Sequence, residues 1–386
     1  MNVPKLRFPE FSREWEEKKL LECLTTFGDG IHGTPNYSEN GEFYFINGNN
    51  LENGKIIISE NTKKITRSEY EIIKRNLNDN TLLISINGTL GNVAFYNNEK
   101  IALGKSACFL NLNQFTNKVF CYYVLLTKKF HNYIYNVSTG TTIKNLSPTS
   151  ISDYSSCFPC LAEQQKIADF LSNVDSIISA ETKILNALQK KKKALIQKLF
   201  TQQLRFKSDD GTDFPEWEEK KVFEFAKVDT GANNTQDKVE NGTYPFYVRS
   251  PIIYRSNNYI FDFPEAVLTV GDGVGTGKVF HYVQGKFDCH QRVYVIHDFE
   301  NVLGKYFYFY FSEKFYARVK PMSAKNSVDS VRREMITDMK IPIPCKAEQQ
   351  KIAECLSSMD SLIQTQQKVV TTWQQRKKAL LQQMFI

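Results

Sequence analysis

An internal repeat is the feature of this 386-residue chain that most restricts its fold. Residues 162–168 return as residues 347–353 at an offset of 185, and this offset holds without a gap through Leu195. A second pair of matching segments, residues 15–20 and 217–222, lies at an offset of 202. The intervening region is therefore 17 residues shorter in the second copy, and there the two copies barely resemble each other. The chain reads as variable region, shared segment, variable region, shared segment.

Each shared segment carries the apolar spacing of a long coiled-coil helix. Apolar residues recur at alternating steps of four and three, which is a heptad pattern. Its polar interruptions include Lys192 and Lys377 at matching positions, so these lysines are candidates to fix the helix register. Helices of roughly 38 residues would be about 55 Å long. The predicted seam consists of Ile167, Leu171, Val174, Ile178, Leu185, Leu188, Leu195 and Leu199, and of Ile352, Leu356, Met359, Ile363, Val370, Trp373, Leu380 and Met384.

Helices this long with a narrow apolar stripe need a partner, and the chain contains an equivalent one. The repeat therefore predicts an intramolecular antiparallel coiled coil with a pseudo-two-fold axis. Homodimerisation through the same stripe is the alternative.

The variable regions have the pattern of mixed, strand-rich domains. Short β-branched or aromatic runs alternate with Gly, Asn and Asp turns, and helical patches are predicted at 118–130 and 305–319. The fold class is therefore α+β. The predicted strands cover residues 43–46, 55–58, 81–86, 266–270 and 292–296.

Composition limits the function without deciding it. Lys and Arg (49) outnumber Asp and Glu (42), giving a net charge of +7, which suits a polyanion partner or simply a soluble surface. The first 20 residues lack a signal-peptide pattern and no apolar run is long enough to span a membrane, so a cytoplasmic protein is expected. Cys157 and Cys160 form a CxxC without a second pair, and no bound metal is expected.

Motifs for catalysis are also missing. Residues 271–278 resemble a phosphate loop, but Asp272 and Val279 stand where a Walker A motif needs Gly and Ser or Thr, so a turn between strands is predicted. We find no methyltransferase, nucleophile-elbow or zinc-helix motif, which favours a binding protein. A stand-alone restriction nuclease or methyltransferase with an unrecognised active site remains the alternative, and a protein-recruiting scaffold is a third possibility.

The duplicated helix opening resembles a known family. Each heptad helix begins with Glu-Gln-Gln-Lys-Ile-Ala after a Phe-Pro-Cys or Ile-Pro-Cys lead-in, at residues 158–160 and 343–345. Together with the two-copy arrangement, this resembles the specificity subunit of type I restriction-modification systems over essentially the whole chain. The resemblance implies target recognition domains at 1–160 and 204–345, a central conserved helix at 161–203 and a C-terminal one at 346–386.

The resemblance also implies a function without catalysis. In that family each recognition domain reads one half of a bipartite double-stranded DNA target, and the coiled coil sets the gap between the halves. Two methyltransferase subunits and the restriction (translocase) subunits are the implied partners, with no membrane association. S-adenosylmethionine, and ATP with Mg, would belong to those partners, so this chain is expected to bind no cofactor.

Loops rich in Arg, Lys, Asn, Gln, Ser and Thr are the candidates for contact with bases and phosphates. Asp272 is a natural acceptor for a cytosine amino group, although it could instead only shape its turn. In the first domain the candidates are His32, Thr34, Asn36, Tyr37, Asn87, Thr89, Lys105, Ser106, Thr141, Thr142, Lys144 and Asn145. In the second they are Arg249, Ser250, Asp272, Lys278, His290, Gln291, Arg292, Ser323, Lys325, Asn326, Arg332 and Arg333.

Overall fold

Two units make up the chain. The computed structural model describes residues 3–273, 275–323 and 330–386, with the side chains of residues 322 and 323 outside the description. The first unit is Met1–Thr182 with Lys368–Ile386, and the second is Lys183–Gln367. Both units combine helices with sheets, which confirms the α+β fold class.

The first unit is built around a four-stranded antiparallel sheet with the strand order β2-β10-β7-β8. A three-stranded sheet, β6-β3-β9, and the pairs β4-β5 and β1-β11 complete it. Its strands are β1 (Glu16–Lys19), β2 (Leu24–Asp29), β3 (Phe43–Ile46), β4 (Leu51–Glu52), β5 (Lys55–Ile56), β6 (Lys64–Ile65), β7 (Thr81–Ser85), β8 (Val93–Phe95), β9 (Ile101–Leu103), β10 (Ala107–Leu112) and β11 (Ser155–Phe158). Its helices are α1 (Arg67–Ile73), α2 (Lys118–Leu125), α3 (Lys128–Val137), α4 (Pro148–Ser152) and the first part of α5 (Leu161–Phe200).

Two predicted elements of this unit have different bounds in the structure. The helical patch at 118–130 is divided into α2 and α3, because the Thr127 hydroxyl accepts a hydrogen bond from the Phe130 amide (3.2 Å) and caps a new helix. The run at 55–58 leaves the β4-β5 pair after Ile56, and the Ile57 amide then donates to the Asn50 carbonyl (2.7 Å).

The second unit is built around a six-stranded sheet with the order β13-β18-β16-β17-β14-β15. Helix α6 packs an aromatic row into the core, in which the rings of Phe307 and Phe315 stack on Phe311 at centroid distances of 5.0 and 4.3 Å. Its strands are β12 (Glu218–Lys221), β13 (Lys227–Thr230), β14 (Tyr244–Tyr247), β15 (Ile253–Ser256), β16 (Phe261–Val270), β17 (Phe280–Cys289), β18 (Val293–His297) and β19 (Lys340–Ile343). Its helices are α6 (Gly304–Ser323), α7 (Arg333–Thr337) and the first part of α8 (Lys346–Met384).

The repeated Trp-Glu-Glu-Lys-Lys segment has the same place in both units. In the first unit β1 pairs antiparallel with β11, which leads into α5, and Glu16 lies opposite Phe158. In the second unit β12 pairs antiparallel with β19, which leads into α8, and Glu218 lies opposite Ile343. Each variable region therefore begins and ends on two neighbouring strands.

The two long helices pair antiparallel within each unit. Helix α5 has 40 residues and α8 has 39, which makes each about 60 Å long. In the first unit Ile167 and Leu171, near the start of α5, share a core with Met384 at the end of α8. In the second unit Leu199, at the end of α5, shares a core with Ile352 at the start of α8. All sixteen residues of the predicted seam are buried or half-buried. Among the described residues no helix is long and apolar enough to cross a membrane.

The two seam lysines make matching ion pairs across the helices. In the second unit Lys192 Nζ lies 2.5 Å from Asp360 Oδ1, and in the first unit Lys377 Nζ lies 2.6 Å from Asp175 Oδ1. Asp175 also accepts a hydrogen bond from the Tyr123 hydroxyl (2.8 Å). Because one lysine comes from each helix, the two pairs fix the antiparallel register in both units.

Candidate nucleic-acid interface

A buried carboxylate anchors the start of α5 to the N-terminal segment. Glu163 is only 1% exposed and receives two hydrogen bonds from Arg7, from Nε at 2.7 Å and from Nη2 at 2.8 Å. The Trp15 indole donates a third at 3.2 Å. Two charged donors on one carboxylate satisfy a group that would otherwise be costly to bury, and the bond to Glu163 raises the pKa of Arg7.

The second unit repeats this anchor. Glu348 is fully buried and accepts from Arg205 Nε at 3.1 Å, Arg205 Nη2 at 2.9 Å and the Trp217 indole at 2.9 Å. The repeated Glu and the repeated Trp in the sequence are therefore two parts of one contact, although they are 131 residues apart in this copy.

The glutamine that follows each anchor glutamate joins the long helix to its variable region. The Gln164 side chain accepts from the backbone amide of Asn117, which caps α2 (2.9 Å), and donates to the Pro159 carbonyl (2.9 Å). The buried Glu and Gln of the repeated helix opening thus join the long helix to the variable region. The equivalent bonds of Gln349 are with the Leu303 amide at 2.8 Å and the Pro344 carbonyl at 2.9 Å.

Five loop segments of the first unit are held together by backbone hydrogen bonds, and we call them the first loop cluster. The Gly104 amide donates to Ile46 O (2.9 Å), the Ile86 amide to Ser106 O (3.0 Å) and the Leu146 amide to Ile86 O (2.8 Å). The first loop cluster comprises residues 30–37, 47–50, 86–91, 104–106 and 139–145.

The second unit holds equivalent loops by the same three bonds, and we call them the second loop cluster. The His290 amide donates to Tyr247 O (2.9 Å), the Gly271 amide to Arg292 O (2.8 Å) and the Val331 amide to Gly271 O (2.7 Å). Two dissimilar sequences therefore build one scaffold. The second loop cluster comprises residues 231–237, 248–252, 271–278 without residue 274, 290–292 and 330–333.

One glycine in each cluster is required by a close backbone approach. A Cβ on Gly30 would lie 2.0 Å from the Leu103 carbonyl oxygen, and a Cβ on Gly231 would lie 2.0 Å from the Cys289 carbonyl oxygen. No side chain fits at either position, so the first loop of each cluster can cross its neighbouring strand only at glycine.

The first loop cluster presents mainly amide and hydroxyl groups. Ser106 donates to Asn47 Oδ1 (2.9 Å), and the amide of Asn87 donates to Asn145 Oδ1 (3.3 Å). Tyr37 is exposed. The other exposed candidates of this cluster are His32, Thr34, Asn36, Thr89, Lys105, Thr141, Thr142 and Asn145.

Three predicted residues of the first loop cluster contact neighbouring side chains. The exposed His32 ring lies 2.8 Å from Asp29 Oδ2, and the Asn36 amide donates to Glu69 (3.2 Å). Lys144 lies over the Tyr135 ring, 4.9 Å from its centroid. Of the two lysines among the predicted contacts of this cluster, Lys105 is exposed and Lys144 is half-buried.

The second loop cluster presents guanidinium groups. Asp272 lies between two arginines, with Oδ1 3.3 Å from Arg249 Nη1 and Oδ2 3.8 Å from Arg292 Nε. Arg332 and Arg333, at the start of α7, are exposed as well. Both oxygens of Asp272 therefore face arginine side chains. The sequence alone did not indicate these two ion pairs.

The remaining predicted residues of this cluster have mixed surroundings. His290 is buried; its Nδ1 accepts from the Arg292 amide (2.9 Å), and burial, with Arg249 nearby, lowers its pKa. Gln291 donates to Asn234 (2.7 Å), and Ser250 accepts from the Ile252 amide (3.3 Å). The exposed Lys278 lies 4.9 Å from the Tyr316 ring centroid. Lys325, Asn326 and the Ser323 side chain lie outside the described residues.

Several polar residues of the clusters were not predicted from the sequence. Asn47 holds Ser106, and Asn233 and Asn234 lie in the first loop of the second cluster, where Asn233 donates to the buried Asp288 (2.7 Å). The Asn-Gly-Asn-Asn turn directly after the strand at 43–46 was the available signal for Asn47. Among the described residues, no group of three or more His, Cys, Asp or Glu side chains is placed to hold a metal ion.

Comparison with known proteins places this architecture in a family. A sequence model described as the type I restriction modification DNA specificity domain matches residues 12–190 and again residues 215–372. The chain is 23% identical to the MjaX and 25% identical to the MjaVIII type I restriction enzyme specificity subunits of Methanocaldococcus jannaschii. These alignments cover 98% of this chain and 95% of MjaX, and 82% of this chain and 80% of MjaVIII. An Escherichia coli relative, the EcoDI specificity subunit, is 29% identical over 37% of this chain and 31% of its own length.

Solved structures share the fold. The S subunit of a type I restriction-modification system from M. genitalium superposes with a TM-score of 0.67 at 17% identity, over 100% of this chain and 99% of its own. A chain from a structure of the type I system, solved to explain complex assembly and conformational transition, gives a TM-score of 0.56 at 14% identity, over 95% and 96% of the two chains. With two matched domains that span most of its length, the chain belongs to the family of type I restriction-modification DNA specificity proteins.

Proposed function

We propose that the chain is the subunit that determines which DNA sequence a type I restriction-modification complex binds. Each loop cluster reads one half of a bipartite duplex target. The observation that carries this proposal is the pair of loop clusters, in which the same three backbone hydrogen bonds support different side chains. A shared scaffold with divergent loops suits two readers of different sequences. Base edges are discriminated by exposed Asn, Gln, Arg and Lys groups of the kind that both clusters present.

Catalysis belongs to other subunits in this proposal. The relatives of this chain are specificity subunits, and the described residues of both clusters carry amide, hydroxyl and guanidinium groups that suit recognition. Methyl transfer from S-adenosylmethionine and ATP-driven cleavage with Mg would be carried out by methyltransferase and restriction subunits bound to it.

Apolar residues exposed at matching positions support docking of two copies of one partner. Leu21 and Phe223 are exposed at equivalent positions after β1 and β12, and Ile177 and Leu362 are exposed at equivalent positions of α5 and α8. Because both copies repeat this feature, one methyltransferase subunit would bind to each. Leu362→Glu should lower the number of bound methyltransferase subunits from two to one in native mass spectrometry, whereas Ile72→Glu, at an exposed apolar residue outside the repeat, should leave two.

The long helices would set the gap between the half-sites. Both helices are continuous and each contributes to both units, so their length is a fixed quantity. Inserting seven residues after Thr182 and seven after Gln367 adds about 10 Å, close to three base pairs. The methylated motif should keep its bases and gain about three unspecified positions. Altered bases at an unchanged gap would contradict the role of the helices.

A domain exchange tests the central proposal. The chain is expressed with its methyltransferase subunit, and methylome sequencing defines the protected motif. Replacing residues 21–160 with the equivalent region of a relative should change one half of the motif, and replacing residues 223–345 should change only the other. A wild-type chain that protects no bipartite motif, or an exchange that alters both halves, would refute the proposal.

A further inference from the structure

Asp272 joins two exposed arginines from different loops of the second loop cluster. Arg249 follows β14, Asp272 follows β16 and Arg292 precedes β18. The Asp272 side chain is 25% exposed, whereas Arg249 is 47% and Arg292 67% exposed. The carboxylate is therefore less accessible to solvent than the two arginine side chains that it joins.

The backbone around these side chains is fixed. The Gly271 amide donates to Arg292 O (2.8 Å), and the Arg292 amide donates to Nδ1 of the buried His290 (2.9 Å). The Val331 amide in turn donates a hydrogen bond to Gly271 O (2.7 Å). Arg292 is thus held at the backbone and faces Asp272 with its guanidinium, so it loses less conformational freedom on binding than a free arginine, which favours selective contacts.

The ion pairs leave donor edges open on both arginines. Arg292 faces Asp272 through Nε, so its two terminal nitrogens remain available as a fork. Arg249 faces Asp272 through Nη1, which leaves its Nε and Nη2 edge available. Such a fork matches the O6 and N7 acceptors of guanine in the major groove. Because both Asp272 oxygens face a cation, the arrangement favours a positioning role for Asp272 over direct contact with a cytosine amino group.

The first unit offers a natural contrast at the equivalent place. Asp272 forms an isolated antiparallel bridge with Ser330, and in the first unit Asn87 forms the same bridge with Asn145. Carboxamides pair with adenine rather than with guanine. A change at Asn87 is therefore a matched control, because it alters the same position of the scaffold in the other reader.

We propose that Arg249, Asp272 and Arg292 act together as the specificity-determining group of the second unit, in which Asp272 is the positioning residue and the arginines read guanine. This inference rests on the proposed function and adds the base that the second half-site must contain. It predicts at least one invariant G·C pair in that half.

The test uses the full chain in complex with its methyltransferase subunit. The variants are Asp272→Asn, Arg249→Lys and Arg292→Lys, with Asn87→Ala as the control. Methylome sequencing gives the motif of each. Binding is then measured on duplexes in which 7-deazaguanine, which lacks the N7 acceptor, replaces guanine at the invariant position. Lysine keeps the positive charge but lacks the planar fork, so it weakens the bidentate guanine contact while it retains general attraction to DNA.

The expected result is loss of selectivity confined to the second half. Arg292→Lys and Asp272→Asn should lower the preference for the G·C pair at least about tenfold and leave the first half unchanged. Wild-type binding should weaken on 7-deazaguanine, and Arg292→Lys should be less sensitive to this replacement than the wild type. Asn87→Ala should change only the first half.

Two outcomes separate this inference from the function on which it rests. A bipartite motif whose second half contains no invariant G·C pair overturns the guanine assignment and leaves the proposed function standing, and so does full selectivity in Asp272→Asn and Arg292→Lys. A wild-type chain with no bipartite motif overturns both. Altered reading is separated from misfolding of the second unit by the second half of the motif itself, because a variant with altered reading still methylates that half with a relaxed base choice, whereas a misfolded second unit gives no bipartite methylation.

Discussion

Replacing Glu348 by glutamine is expected to loosen the second unit while the first stays intact. Glu348 is fully buried and accepts three hydrogen bonds, two from Arg205 and one from Trp217. Glutamine keeps the shape but removes the charge and turns an amide donor towards the donors of Arg205. The Arg205 guanidinium then loses its buried counter-ion and keeps the exposed Glu216, whose Oε1 lies 3.6 Å from Nη1.

The size of the effect follows from burial. Breaking a buried ion pair by removing one partner costs about 3–5 kcal/mol. The Arg205 side chain is 21% exposed, so water can solvate part of its charge. The lower end of this range, about 3 kcal/mol, is therefore expected. That energy corresponds to roughly 100-fold faster exchange of amide protons that depend on this contact.

Hydrogen exchange of the full chain, followed by mass spectrometry, locates the loss. Peptides covering β12 and β19 should exchange faster in Glu348→Gln, and peptides covering β1 and β11 should not change. Glu163→Gln should show the reverse pattern, because Glu163 makes the same contact with Arg7 in the first unit. Glu218→Gln is the control, since Glu218 belongs to an exposed pair with Lys220 and should leave both sets of peptides unchanged.

Three results would refute this reasoning. Less than about threefold faster exchange around β12 and β19 in Glu348→Gln would mean that the anchor carries little free energy. Equal loosening of both units by either variant would mean that the anchors do not act within their own unit. An effect of similar size in Glu218→Gln would show that any loss of negative charge is sufficient.

Three further predictions concern the seam, pH and the loop scaffold. Exchanging the charges of Lys192 and Asp360 singly should destabilise the chain by about 1 kcal/mol, and the double exchange should restore stability in a double-mutant cycle by urea unfolding. Burial lowers the pKa of His281, so the stability that its neutral form contributes above about pH 6.5 is lost as pH falls towards the folded-state pKa; His281→Phe should flatten this part of a melting-temperature profile. Gly30→Ala should destabilise the first unit by about 1–3 kcal/mol in thermal unfolding and impair reading of the first half-site, because its Cβ meets the Leu103 carbonyl.

The helices were predictable because their signal is local. Apolar steps of four and three repeat along the chain without reference to anything distant, and the observed helices begin at Leu161 and Lys346, directly after the lead-ins seen in the sequence. The split between α2 and α3 was not foreseen. A threonine within a helical pattern can either continue the helix or cap a new one, and in the structure Thr127 caps a new one. The α+β class followed from strand runs and turns together with the helical patches between them.

The loop clusters were not predictable as clusters. The candidate residues came from loop composition, but Asn87 and Asn145 are 58 positions apart, and only the folded sheet brings them together. The ion pairs of Asp272 with Arg249 and Arg292 likewise depend on strands that pair out of sequence order. Contact with DNA by the candidate residues of both clusters remains a prediction.

The neighbouring strands at the two ends of each variable region have an evolutionary consequence. Because β1 pairs with β11 and β12 with β19, the ends of each variable region stay one strand spacing apart, about 5 Å, whatever lies between them. Closing a longer or shorter segment between fixed ends changes the entropy cost only slightly, about 0.6 kcal/mol for each doubling of length. Genetic recombination can therefore replace a whole variable region, or change its length, without disturbing the helix that follows. The 17-residue difference between the two copies is one such change tolerated within a single chain.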